Sequence, residues 1–125
     1  MKLEYLSDGS PECPLLRLYD FTKQDAEALR LAVLELASET AERIEIHRLP
    51  FVRPVGACRL ALILQSWDQA IVRVGPLAFE CGLTGATWED VQGLIEPFAE
   101  TVHGFQWLTG IPGELPLLLS ASGNW

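Results

Sequence analysis

Two amphipathic stripes, each opened by Thr-x-x-Asp and each flanked by strand-length runs of alternating polarity, restrict this chain to folds that join helices to a half-buried sheet. In the first, Thr22 and Asp25 match a capping box, and Leu29, Val33 and Leu36 follow on one face with Ala32 and Ala37 beside them. The spacing predicts a helix from about Lys23 to Ser38. In the second, Thr87 and Asp90 repeat the cap, and Val91, Leu94, Ile95, Phe98 and Val102 form the stripe, extended backwards by Trp88. Pro97 removes a backbone donor and crowds the carbonyl four residues earlier, at Gly93, which predicts a kink there.

Around the helices, alternation predicts strands at Lys2 to Leu6, Leu15 to Tyr19, Arg43 to His47, Cys58 to Gln65, Ala70 to Val74 (resuming at Leu77 to Cys81 after Gly75-Pro76), Phe105 to Leu108 and Leu115 to Ser120. Pro50 to Ala57 carries two prolines and reads as an extended connection, and Thr109 to Gly113 reads as a turn. Cys58 to Gln65 and Ala70 to Val74 read as a hairpin around Trp67, Asp68 and Gln69. Pairing Leu64 with Val72 and Leu62 with Val74 keeps the apolar side chains together and sets Arg73 on the face of Arg59.

The expected fold class is α+β: a two-layer sandwich in which a largely antiparallel sheet of about six or seven strands carries both helices on one face, in the order ββαβ-ββαβ-β. With 125 residues, 49% hydrophobic and 21% charged, the chain makes one domain over 1–125. The shared cap and element order raise an internal ββαβ pseudo-repeat over 1–49 and 58–109.

A net charge of −8 argues against a nucleic-acid partner, because phosphate neutralisation needs clustered Lys and Arg. Acids in the first residues do not fit a signal peptide and no apolar run reaches the length of a membrane span, so a cytoplasmic protein with no membrane partner is expected. Cys13, Cys58 and Cys81 are odd in number and lack metal or disulfide spacing, so no metal and no cofactor is expected.

Against the acidic helices stand arginines at the polar phase of the strands. Arg17, Tyr19, Arg43, His47, Arg59 and Arg73 form a candidate binding face, since guanidinium forks recognise carboxylates and phosphates in pairs of bonds. Trp67, at a hairpin tip, is a candidate anchor for a partner. The resulting expectation is a non-catalytic binding or protein-interaction module, its partner another protein or a second copy in a homodimer, with a small anion as a further ligand. The alternative is a small enzyme acting on an anionic substrate with His47 as acid or base.

Overall fold

The computed structural model describes residues 1–109 and 114–125, so the core of the turn expected around 110–113 lies outside the described residues. The chain is α+β, with β1 (Lys2–Leu6), β2 (Leu15–Tyr19), α1 (Lys23–Ala37), β3 (Arg43–Glu45), β4 (Arg53–Pro54), β5 (Arg59–Leu64), β6 (Val72–Gly75), β7 (Ala78–Leu83), α2 (Gly85–Glu100), β8 (Phe105–Thr109) and β9 (Leu117–Ser120). No helix among the described residues is long and apolar enough to cross a membrane.

Instead of one antiparallel sheet there are two mixed ones, a five-stranded sheet in the order β4-β1-β2-β9-β8 and a four-stranded sheet in the order β3-β5-β7-β6. The pairs β1/β4, β2/β9 and β5/β7 are parallel. The cause is visible at the expected hairpin, which is split by β7. The N–H of Gln65 donates to Leu83 O at 3.1 Å and that of Gln69 to Gly82 O at 2.8 Å, so the connecting segment straddles the end of β7 and leaves β5 and β6 on opposite sides of it. Phe79, Cys81 and Leu83 are all buried, and a strand this apolar is stabilised by neighbours on both edges.

The two sheets share one plan. Replacing β1, β2, β9 and β8 by β6, β7, β5 and β3 converts the order of the first sheet, β4 aside, into that of the second, so residues 2–64, leaving out β4, and residues 72–120 are each ββαββ units that exchange their last two strands. The helices obey the same relation. The buried positions Ala26, Leu29, Val33 and Leu36 of α1 recur as Trp88, Val91, Ile95 and Phe98 of α2 at the same sequence offset that separates Arg30 from Gln92. Those last two bond to each other, Arg30 Nη1 donating to Gln92 Oε1 at 3.2 Å, as expected of equivalent residues facing one another across the junction. An antiparallel pairing follows, because Phe21 before α1 meets Phe98 near the end of α2, with ring centroids 5.7 Å apart. The inward faces of both sheets and of both helices close on a single core, and Tyr5 of β1 joins Phe79 of β7 across it with centroids 4.9 Å apart.

Local chemistry fixes the helix starts. Thr22 and Asp25 form the expected reciprocal capping box. α2, however, is capped by Thr84 rather than Thr87: the Thr84 side chain accepts the Thr87 N–H, and the carboxylate of Asp68, from the preceding loop, accepts the Thr84 N–H at 2.9 Å and the Thr87 hydroxyl at 2.7 Å. The helix is continuous through Pro97 to Glu100. β3 stops at Glu45, where Ile46–Arg48 form a 3-10 turn that buries Ile46, and the extended 50–57 connection contributes β4 to the edge of β1.

Candidate functional site

The strand registers separate the arginines expected on one face. Arg17 belongs to the five-stranded sheet, while Arg43, Arg59 and Arg73 belong to the four-stranded one. There Arg43 pairs with Ile63 and Arg59 with Ala78, on the outer face, but Arg73 pairs with Phe79 and so shares the face of Leu60 and Leu62. An irregular register between Arg73 and Gly75, together with the edge position of β6, lets the guanidinium escape the core. It bonds the carbonyl oxygens of Gly75 and Pro76 and lies over the Tyr5 ring, 4.9 Å from its centroid.

The remaining cations mostly have internal partners. Arg17 pairs with Glu4, donates to Gly123 O at 2.7 Å and stacks 4.0 Å from the Tyr19 ring centroid, while the Tyr19 hydroxyl also donates to Glu4. Gly123 is held at φ +91°, and an added Cβ would lie 2.9 Å from Arg17 Nη1, so this cluster pins the C-terminal segment onto the sheet. Arg43 pairs with Glu80 at 3.2 Å, and Arg48 with Glu45 at 3.2 Å. Arg59 is exposed beside them on the outer face. His47 is half-buried, and its Nδ1 lies 3.2 Å from Leu60 N, whose N–H it accepts, and 3.4 Å from Leu60 O, so the ring acts as a prop for β5. Trp67 stands 62% exposed. Trp125 instead lies edge-on against Trp107 and donates to Glu12, covering the outer side of the five-stranded sheet.

A site the sequence did not indicate lies where the β6 lead-in, the ends of β7 and β8 and the start of α2 meet. A cavity of about 250 Å³ opens there between Ile71, Cys81, Leu83, Leu108 and Leu115, with Asp68 and Thr87 at its polar end. The hydroxyl of Thr109, which lines it, is buried and has no hydrogen-bond partner among the described residues. The equivalent place in the other half is a polar recess formed by Lys2, Asp20, Asp25 and Arg53, where the Met1 nitrogen donates to Asp25 at 3.3 Å and to Phe51 O at 3.0 Å.

Burial, reinforced by the charge of Asp68, pushes the Cys81 thiol up to about 12, and burial pushes that of Cys58 up to about 11, so neither supplies a thiolate near neutral pH. The Asp68 carboxyl is held below its usual range, first by the Thr84 N–H and then by the Thr87 hydroxyl. No group of His, Cys, Asp and Glu among the described residues could hold a metal ion. Comparison with protein-family models, with curated proteins and with solved structures finds no match to this chain.

Proposed function

We propose that the chain is a non-catalytic interaction module, acting in the cytoplasm, that holds a partner protein by seating one apolar side chain of that partner in the cavity beside Thr109. The observation that supports this reading is the inequality of two equivalent places. The recess of the first half is lined with charged groups, whereas the cavity of the second is lined chiefly with apolar side chains. At about 250 Å³ the cavity falls below the roughly 300–1,000 Å³ typical of sites for whole small molecules, and so suits a fragment-sized guest such as a Leu, Met or Phe side chain. Trp67, exposed and one residue before Asp68 in the loop that lines the cavity, adds apolar area at the margin. The enzyme reading draws no support from His47, whose Nδ1 is engaged by the backbone of β5.

The test is a titration of isotope-labelled protein with toluene and with 3-methyl-1-butanol, which mimic Phe and Leu side chains. Methyl resonances of Ile71, Leu83 and Leu108 and the Thr109 amide should move together and saturate, and Thr109→Val should weaken the alcohol more than toluene. Unmoved resonances at saturating probe, with the protein folded, would remove the site.

A further inference from the structure

The two sheets correspond strand for strand except at one edge. On β1, the outer edge is covered by β4: the Arg53 N–H donates to Met1 O and the Val55 N–H to Leu3 O, each at 2.8 Å. β6 holds the matching position in the second sheet, and among the described residues no strand pairs with its outer edge. β4 is drawn from the segment 46–58 between β3 and β5; the segment between β8 and β9, 110–116, is shorter, and 110–113 of it lie outside the described residues.

The bare edge lacks most of the usual protection. Natural edge strands are blunted by outward charges, by proline or by bulges. β6 has the irregularity between Arg73 and Gly75, and its one charge, though exposed, is tied to the carbonyl oxygens of Gly75 and Pro76 and lies over Tyr5 and Phe79. Val74 is left 56% exposed, and Val72 shares the outer face of Glu80. Trp67 stands on the loop that leads into this strand.

We propose that β6 accepts an extended segment of a partner polypeptide, aligned parallel to it as β4 is to β1, and carrying β-branched and basic side chains. The inference rests on the interaction-module reading and specifies its partner. Main-chain bonds to an open edge supply affinity while alternate side chains supply choice. The pattern is the one β4 itself offers at the equivalent edge, Phe51-Val52-Arg53-Pro54-Val55, and its basic residue suits the chain's net charge of −8.

A synthetic peptide of residues 49–57, the segment this fold already uses at the equivalent edge, is the direct probe. In the free full-length protein, amide exchange should be fast at the outward N–H groups of Val72 to Gly75; with millimolar peptide it should slow about tenfold, with shifts confined to β6 and its neighbours. An Arg53→Glu peptide should bind more weakly, and Val74→Pro in the protein should abolish the response while leaving exchange in α1 unchanged. Slow exchange at β6 in the free monomer would mean the edge is already covered, and would overturn the proposal. So would protection that grows with protein concentration alongside dimer formation, which identifies a second copy as the occupant, and so would an absent response to the peptide. If toluene fills the cavity while β6 stays silent, the strand inference fails and the interaction module stands; a β6 response without cavity binding supports the strand inference and removes the cavity as the seat of the partner.

Discussion

The first and second halves of this molecule solve the same construction problem with different residues, and the differences fall at the places proposed to bind. Both place a hairpin in one sheet, send a helix across the core and finish in the other sheet. In the first half the helix start is served locally: Asp25 completes the capping box from within α1 and also takes the Met1 nitrogen. In the second, Thr87 stands in the place of Asp25, and the carboxylate comes from the loop residue Asp68. Moving the acid from helix to loop draws the 65–71 segment across the end of β7, and that segment forms one wall of the cavity. The internal correspondence is broken at these places, and the departures from it mark the candidate surfaces.

Core packing gives the comparison its hardest test. Trp88 occupies the position in α2 that Ala26 occupies in α1, both fully buried, and the Trp88 Nε1 donates to Ile63 O at 3.0 Å. If the halves carry unequal shares of the core, Trp88→Ala should cost about 3–5 kcal/mol from lost burial and the remaining void. Ala26→Gly, the removal available at the equivalent site, should cost only about 1 kcal/mol. Urea unfolding of the two variants checks this, and equal losses would show that the halves share the core evenly despite their sequences.

What could be read in advance follows the range of each interaction. The first helix, its cap and the strands β1 and β2 were legible, because periodicity and a Thr22–Asp25 exchange three residues apart are local. The cap of α2 was misplaced by one Thr-x-x step, since its carboxylate partner, Asp68, lies in a distant loop that no local pattern links to Thr84. The split of β5 from β6 was likewise hidden: alternation gives the face of a residue but not which strand lies beside it, and a parallel neighbour leaves no turn signature. Arg73 followed from that error, because its face depends on pairing with Phe79. Of the candidate site, the exposure of Trp67 and the outward setting of Arg43 and Arg59 were legible, while the separation of Arg17 and Arg73 from them was not. The cavity gave one signal that passed unused, the apolar Leu83 lying past the expected strand end, and Thr109 gave none.

The caps allow a finer comparison. Thr22→Ala and Thr84→Ala should each lower stability by about 1 kcal/mol, as loss of a Thr cap generally does. Their consequences should diverge. In the first half the loss stays at the start of α1, whereas in the second the Thr84 hydroxyl donates to that of Thr87, which in turn donates to Asp68, so Thr84→Ala should disturb the methyls of Ile71 and Leu83. Methyl spectra of the two variants decide the matter; indistinguishable cavity resonances would uncouple the α2 cap from the cavity wall.

The smallest effect expected is the pH dependence of that loop. Asp68 has its pKa lowered from the ordinary 3.8, with the Thr84 N–H as the larger cause and the Thr87 hydroxyl the next. A carboxyl whose folded value is depressed stabilises the fold while it is ionised in both states. Its contribution is therefore complete well above 3.8 and is lost as the pH falls through the lower folded value. The difference in urea midpoint between the parent and Asp68→Asn should accordingly be constant from neutral pH down to about 5 and shrink below that, as the parent loses what the variant never had. The cavity should follow, because the same carboxylate pins the 65–71 segment to α2, and binding of toluene should weaken over the same interval in the parent but not in Asp68→Asn. A midpoint difference that grew on acidification would mean that Asp68 is raised rather than lowered in the fold, and the loop would then have to be held against α2 by something other than its charge.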